Sequence, residues 1–135
     1  MTVSFSSTLS RTTPLSLQKE GRLLERIATS VLGRSYDLSV VFVGDARSRT
    51  LNRTYRRKDK PTNVLSFPLS KNSGELYLDL PLCMREAPLF DATPHRHVYF
   101  LFVHGLLHLK GLDHGARMER LEREVMKKFY RETGR

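Results

Sequence analysis

The sequence predicts an α+β domain in which one mixed β-sheet of about four strands packs against several helices. Two kinds of segment alternate along the chain: short runs rich in β-branched or alternating apolar residues, and longer runs with apolar residues at helical spacing. The length of 135 residues suits one domain with one core. Because no linker or repeat interrupts the chain, we expect residues 1–135 to form a single domain, with residues 1–16 poorly ordered in part.

The chain begins with a strand, a helix and a second strand. A short strand is predicted at residues 3–5, and apolar residues at helical spacing predict a helix over residues 17–32. Ser16 is predicted to cap the start of this helix, and Gly33 to end it. The run LSVVFV at residues 38–43 is rich in β-branched residues, which is typical of a strand buried on both faces.

A second helix and a third strand follow. Asp45 is predicted to cap a helix that runs to about Tyr55, with Leu51 and Tyr55 facing the core. The run NVLSF at residues 63–67 predicts a short strand, which Pro68 closes because proline lacks the N–H of a sheet ladder. Three polar residues beside or within this strand are interpreted as caps or turn formers, with hydrogen bonds to the backbone or to substrate as the alternative: Thr62, Asn63 and Ser66.

The second half of the chain holds one more strand and the most apolar helix. The polar residues 70–74 predict a turn, and the alternating run ELYLDL at residues 75–80 predicts a half-buried strand. A helical turn at residues 81–87 precedes residues 95–110, which are apolar almost all round and predict a central, buried helix. Residues 116–133 carry apolar side chains at helical spacing and predict the last helix.

Charge and cysteine content limit the possible partners and compartments. With 23 Lys+Arg against 14 Asp+Glu, the net charge of +9 indicates a polyanionic partner such as RNA or DNA, or serves solubility alone. The single cysteine, Cys83, is expected to be a small buried hydrophobe and favours a reducing compartment. Neither a membrane span of about 18 apolar residues nor a secretory signal is present, so we expect a cytoplasmic protein without a membrane partner. The absence of acids before Glu20 leaves a transit peptide as the alternative.

The most informative stretch is HGLLHLKGLDH at residues 104–114. His104 and His108 are four residues apart, so on a helix both imidazoles point to one face. Gly111 can adopt a left-handed conformation, end the helix and let the chain bring His114 back to the same point. Three imidazoles leave one position of a tetrahedral Zn²⁺ open to water, which is the catalytic arrangement. We therefore predict one zinc ion per chain on the central helix; core histidines and a structural metal are the alternatives.

The same spacing occurs in metzincin peptidases, which carry a glutamate general base directly after the first histidine. Gly105 stands at that position, so the base of a peptidase is missing, and we expect open space there beside the zinc-bound water. Asp113 is expected either to orient an imidazole or to stabilise the turn. His95 and His97 lie near a helix start and are expected to be exposed.

Five cations lie within eight residues, where a helix gives way to a loop: Arg53, Arg56, Arg57, Lys58 and Lys60. Guanidinium groups pair with phosphate oxygens in a fork, so this basic segment fits contacts to a nucleic-acid backbone. A solvated helix end is the alternative, since cations are also favoured at a helix C-terminus. The last helix interleaves basic residues with Glu119, Glu122 and Glu124, which predicts an ordinary exposed face.

The basic segment and the histidine run belong to a longer pattern. The chain shows LNRTYRRKDKPTNVLSFP at residues 51–68 and GEL at residues 74–76, followed by the histidine run. These motifs resemble those of the YbeY family of bacterial endoribonucleases, and the similarity spans about residues 38–126. The chain departs from the family pattern at Arg57, where a small residue is common, and at Asn63, where aspartate is commoner.

The resemblance implies an α+β fold with one mixed sheet, a zinc ion held by His104, His108 and His114, and cleavage of single-stranded RNA. It also implies work on the 3′ end of the 16S rRNA and in ribosome quality control, with the small ribosomal subunit and its proteins as partners. The family's invariant arginine falls on Arg56.

The residues and the resemblance together predict a zinc-dependent, single-strand-specific endoribonuclease. We expect Arg56 to neutralise charge in the transition state, with attack by the zinc-bound water or by the ribose 2′-OH. The other four cations of the basic segment are expected to bind the substrate: Arg53, Arg57, Lys58 and Lys60. A metal-stabilised RNA- or ribosome-binding factor without turnover, and a metallopeptidase with a base from elsewhere, are the alternatives.

Overall fold

A computed structural model describes residues 2–9 and 17–134, without the side chains of residues 17–19. Its strands are β1 (Thr2–Ser7), β2 (Asp37–Val43), β3 (Val64–Ser70) and β4 (Ser73–Asp79). Its helices are α1 (Leu17–Leu32), α2 (Asp45–Arg56), α3 (Leu80–Glu86), α4 (Pro94–Leu109), α5 (Ala116–Lys128) and α6 (Tyr130–Thr133), with a 3₁₀ turn at Ala87–Phe90. Within these ranges, no helix is both long and apolar enough to cross a membrane.

The strands form one mixed sheet in the order β1-β2-β4-β3, which confirms the predicted α+β fold. β2 pairs in parallel with both β1 and β4, whereas β3 and β4 form an antiparallel hairpin. Along β2 the burial alternates, with Leu38, Val40 and Phe42 in the core. The prediction that this strand is buried on both faces is only partly right: on the other face Val43 is buried, whereas Ser39 and Val41 are half-buried.

α4 is the central helix, as its sequence predicts. Ten of its sixteen residues are buried, and it packs against α1, α3 and the β3–β4 hairpin. Its end is a Schellman motif: the Leu112 N–H donates to the Leu107 carbonyl at 3.1 Å, and the Gly111 N–H donates to the His108 carbonyl at 2.9 Å. Gly111 has a φ of +98°, the left-handed conformation predicted for it.

The β3–β4 hairpin is longer and tighter than the sequence predicts. β3 does not close at Pro68 but continues to Ser70, so the turn shrinks to residues 71–72. β3 is an edge strand, where a proline costs little because no further strand needs its N–H. The pairing with β4 becomes irregular between Pro68 and Ser70.

Two details of the helix ends also differ from expectation. The N-cap of α2 is Gly44 rather than Asp45, whose carboxylate instead accepts a hydrogen bond from Arg85 at 2.8 Å. The predicted last helix breaks at Phe129, which leaves helical geometry and is buried, so two helices result. The cap predicted at Ser16 lies outside the described residues, as do residues 1 and 10–16 of the N-terminal segment.

One core residue expected on α2 faces solvent instead. Leu51 is buried as predicted, but 64% of Tyr55 is exposed. The Tyr55 ring lies edge-on against Phe67 of β3, with the ring centroids 5.0 Å apart. This contact holds the end of α2 against the edge strand without burying the tyrosine.

Gly105 is where α4 comes closest to the sheet. A Cβ atom at this position would lie 2.6 Å from Leu76 Cδ1 and 2.9 Å from Val64 Cγ2, closer than carbon atoms pack. We therefore expect Gly105→Ala to lower the free energy of unfolding in urea by about 1–3 kcal/mol through overpacking.

Gly21 in α1 is the matched control, because a Cβ there meets no described atom within 4 Å. Gly21→Ala should instead raise the free energy of unfolding by up to about 1 kcal/mol, since alanine is the better helix former. Equal effects of the two substitutions would contradict the close approach of α4 to the sheet.

Candidate metal centre

The three histidines of the 104–114 run lie together at the C-terminal end of α4. His104 and His108 stand one turn apart, and the Schellman motif turns the chain so that His114 returns to them. The three ring centroids are 4.7 to 5.0 Å apart. One ligand nitrogen from each ring lies within 4.8 Å of the other two, so the group can hold one metal ion.

The donor atoms and their charge state suit a zinc ion. His104 Nε2 and His108 Nε2 are 3.1 Å apart, close to the roughly 3.3 Å that two nitrogens show on one tetrahedral Zn²⁺. Burial lowers the pKa of His104, and the charges of His114 and Arg56 lower it further. Burial also lowers the pKa of His108. Both imidazoles are therefore held in the neutral form that binds metals.

A buried carboxylate orients the first histidine. Glu122 of α5 places Oε2 3.3 Å from His104 Nδ1, on the side of the ring away from His108. Glu122 is only 5% exposed, and burial raises its pKa. The carboxylate beside the triad is thus Glu122, whereas Asp113 is exposed.

Sequence reasoning missed Glu122 because it assigned the acids of the last helix to an exposed face. A signal was present: Glu122 lies four residues after Met118 and four before Met126, on the buried stripe of α5. An acid on a buried stripe needs a polar partner, and here that partner is His104.

The triad opens into a cleft of about 280 Å³. Its walls come from the end of α2, the start of β3 and the histidine run: Arg56, Thr62, Asn63, Val64, Ser66, His104, His108 and His114. Arg56 is thus the cation of the basic segment that the fold brings to the histidines. Its positive charge contributes to the lowered pKa of His104 and His108.

The other four cations of the basic segment do not line this cleft, although all of them are exposed. Arg53 lies 3.5 Å from the carboxylate of Asp59. Arg57 caps the end of α2 in the left-handed conformation, with φ of 59°. Lys58 and Lys60 follow in the loop that leads to β3. None of these four side chains is among the residues that line the cleft with Arg56 and the triad.

Two polar residues at the start of β3 form hydrogen bonds in the cleft wall, which was the alternative to caps and turns. Ser66 Oγ donates to the Gly105 carbonyl at 2.9 Å, which ties β3 to α4 next to His104. Asn63 Nδ2 donates to the Glu86 carboxylate at 3.1 Å. These contacts fix the wall that faces the histidines.

The space expected at Gly105 is not in the cleft. Gly105 is buried and faces Leu76 and Val64 of the sheet, so no open space beside the triad results from its missing side chain. That expectation is wrong, because position 105 follows His104 by about 100° around the helix axis and so points to a different face. A Gly105→Glu substitution would therefore disturb the packing of α4 against the sheet rather than the lining of the cleft.

His95 and His97 lie apart from the triad, and neither is exposed as expected. His97 is 2% exposed and stacks on Phe90, with the ring centroids 4.9 Å apart. His95 is half-buried, with Nε2 3.1 Å from a carboxylate oxygen of Glu20 on α1. The two histidines therefore stabilise the start of α4.

A buried hydrogen-bond network supports the cleft wall from behind. The Asp79 carboxylate accepts hydrogen bonds from Ser48 Oγ at 2.8 Å and from the Leu82 N–H at 3.1 Å. Ser48 Oγ in turn accepts the Thr62 N–H at 3.3 Å, and the Asp79 N–H donates to the Asn63 carbonyl at 2.9 Å. Burial, reinforced by the neighbouring Asp45 carboxyl, raises the pKa of Asp79 to about 6.

This raised pKa predicts a pH-dependent stability. The pKa of Asp79 is higher in the folded state than in the unfolded state. Protonated Asp79 therefore contributes to the free energy of unfolding; this contribution is complete below pH 3.8 and is lost as the pH rises through about 6. The Asp79→Asn side chain cannot ionise. Between pH 4 and pH 7, the free energy of unfolding of this variant should therefore rise by on the order of 2 kcal/mol relative to that of the wild-type protein. Urea unfolding at a series of pH values measures this difference. Exposed Asp37→Asn is the control, and a pH-independent difference for Asp79→Asn would contradict the assignment.

The family model and the related proteins that match this chain carry the same description. The family model described as "Endoribonuclease YbeY" matches residues 10–133. An "Endoribonuclease YbeY" of Chelativorans sp. (strain BNC1) is 39% identical over 123 residues, which cover 77% of this chain and 76% of the relative. An "Endoribonuclease YbeY" of Geobacter metallireducens is 32% identical over 135 residues, which cover 88% of this chain and 90% of the relative. A solution structure of a Thermotoga maritima protein has a TM-score of 0.68 and 25% identity, covering 96% of this chain and 90% of that one.

Proposed function

The chain belongs to the YbeY family of endoribonucleases, and from that membership we propose that it is a zinc-dependent enzyme that cleaves single-stranded RNA. The observation that carries the proposal is the cleft in which three imidazoles face one arginine. Neutral nitrogen donors suit a metal ion, and a guanidinium beside them suits a phosphate. A metzincin-type peptidase would need a carboxylate base directly after the first histidine, and position 105 does not supply one.

His104, His108 and His114 would hold one zinc ion per chain. Zinc at such a site supplies Lewis acidity toward a phosphoryl oxygen and an activated water. His104 is positioned for this role by Glu122, which holds its Nδ1 and leaves Nε2 directed at His108 and the cleft. The lowered pKa of His104 and His108 keeps both rings available as ligands at neutral pH.

Arg56 would act on the substrate phosphate. Arg56 lines the same cleft as the triad, so its guanidinium would neutralise the charge that builds on the phosphate oxygens in the transition state. The other four cations of the basic segment, which are exposed, would hold phosphates of the flanking nucleotides: Arg53, Arg57, Lys58 and Lys60.

The cellular role we propose follows from the family. We place the activity in the cytoplasm, on the 3′ end of the 16S rRNA and in ribosome quality control, with the small ribosomal subunit and its proteins as partners. The net charge of +9 supports a ribosomal RNA substrate, since it favours association with a polyanion.

Metal analysis combined with RNA cleavage tests the proposal. Purified protein should contain about one zinc per chain and should cut single-stranded RNA, and a chelator should abolish that activity. Tight RNA binding without turnover would support a metal-stabilised binding factor instead. Chelator-sensitive digestion of casein with intact RNA would support a metallopeptidase and overturn the proposal.

Glu122 offers a test that leaves the three ligands in place. Glu122→Gln keeps the size of the side chain but removes the charge beside His104, so we expect zinc affinity to fall about 10-fold. Competition with a chromogenic chelator measures the affinity. Glu124→Gln, an exposed acid two residues further along α5, is the matched control and should leave zinc affinity unchanged.

A further inference from the structure

A second concave surface lies between α4 and α5, next to the cleft. This groove has a volume of about 490 Å³ and is lined chiefly by residues of two kinds. The first kind is aromatic, and the second consists of long cationic side chains: Phe100, Tyr130, Arg96, Arg123 and Lys127. The roles proposed for the triad and Arg56 use none of these residues.

The aromatic rings of the groove present their surfaces to solvent. Phe100 is 36% exposed and Tyr130 is 60% exposed. The Arg96 guanidinium lies 5.4 Å from the centroid of the Tyr130 ring, so a cation and an aromatic face form one platform. Exposed rings beside arginines are the surfaces on which unpaired bases stack.

The groove and the cleft share a wall. Phe100 precedes His104 by four residues, so it lies on the same face of α4, one turn or about 6 Å away. His104 directs Nε2 toward His108 in the cleft and Nδ1 toward Glu122, whose side chain also lines the groove. Phe100 therefore lies within one helical turn of the triad on α4.

The charge of the groove favours an anionic occupant. Three cations line it, whereas its acids are Glu119 and the buried Glu122, which is engaged with His104. An extended ligand that combines regularly spaced negative charge with flat apolar groups matches this surface. Single-stranded RNA has both properties, and it is the substrate class proposed for the adjoining cleft.

We infer that the α4–α5 groove is an RNA subsite, in which Phe100 and Tyr130 stack the bases that flank the nucleotides held in the cleft. Arg96, Arg123 and Lys127 contact the phosphates of the same segment. This inference rests on the proposed function for the class of ligand, but it concerns binding outside the cleft and leaves the chemistry there unchanged.

Binding as a function of RNA length tests the subsite. The probe is a set of fluorescein-labelled oligoadenylates of increasing length. Binding is measured on ice by fluorescence anisotropy, and a gel run afterwards verifies that the RNA is still intact. Phe100→Ala and Tyr130→Ala should each weaken binding of the long oligonucleotides about 5- to 10-fold, the usual effect of removing a stacking ring. The shortest oligonucleotide that binds should show no change, because it fills only the cleft. Tyr130→Phe should bind like wild type, since it keeps the ring.

Charge variants provide matched controls that do not depend on ring packing. Lys127→Ala should weaken binding of long RNA about 2- to 3-fold and reduce its salt dependence. Its neighbour Lys128 lies on another face of α5, with Nζ 3.1 Å from Ser30 Oγ, so Lys128→Ala should have a much smaller effect. Glu119→Gln removes an acid from the groove and should tighten binding about 2-fold.

Unchanged affinity of all groove variants for long RNA would overturn the inference. An acidic protein segment as the occupant would give that result. Such a result would leave the proposed function standing, provided that the wild-type protein still cuts RNA in a chelator-sensitive way. If the wild-type protein binds long RNA through the groove but never cuts it, the subsite holds and the proposed function fails.

Discussion

If the proposed zinc enzyme is correct, replacing His108 by alanine should leave the purified protein without bound zinc and lower RNA cleavage by at least about 100-fold. The reason is geometric: His108 Nε2 lies 3.1 Å from His104 Nε2, and the remaining pair, His104 and His114, offers only two donors. Two imidazoles alone hold zinc poorly, because protein zinc sites use three or four ligands. Metal content by mass spectrometry and cleavage of a labelled single-stranded RNA measure the two effects.

His95 provides the control for this experiment. It is a histidine on the same helix, but its Nε2 faces Glu20 rather than the triad. His95→Gln should therefore retain about one zinc per chain. Stoichiometric zinc in His108→Ala would show that the ligands are wrongly assigned, whereas nickel in the wild-type protein would not, since both ions accept imidazole ligands.

Arg56→Ala is expected to reduce the turnover of RNA about 100-fold while changing RNA affinity little. Arg56 is the cation of the basic segment that lines the cleft, so its contribution should be greatest when charge builds on the reacting phosphate. Zinc content should stay the same, because Arg56 is not a ligand. Single-turnover cleavage at saturating RNA separates this effect from binding.

The outer cations should behave in the opposite way. Arg57→Ala and Lys60→Ala should weaken RNA binding and flatten its salt dependence, yet leave turnover at saturating RNA unchanged. Both residues are exposed and lie outside the cleft. If Arg56→Ala lost only affinity and kept its turnover, Arg56 would belong with these phosphate-holding residues instead.

Much of the fold follows from local sequence patterns. The apolar run of residues 95–110 was sufficient to predict the central helix, and Gly111 was sufficient to predict its left-handed end. The β-branched run of residues 38–43 gave a strand for the same reason, since side-chain branching and alternation are properties of neighbouring residues. The effect of Pro68 could not be predicted locally, because it depends on whether β3 is an edge strand, which only the pairing of the sheet decides.

The histidine triad was the part of the site most open to sequence reasoning. His104 and His108 share a helix face by their spacing, and a turn at Gly111 returns His114 to them within a few residues. Every contact involved is local, so the pattern could be recognised without knowing how the helices pack.

Only the tertiary structure decided what surrounds the triad. Glu122 reaches His104 from another helix, and Arg56 reaches the cleft from α2, across large separations in sequence. The direction of Gly105 toward Leu76 depends equally on which face of α4 the sheet covers. Periodicity fixes which residues share a face of a helix or strand, but the neighbour that covers each face is set by the packing of the whole core.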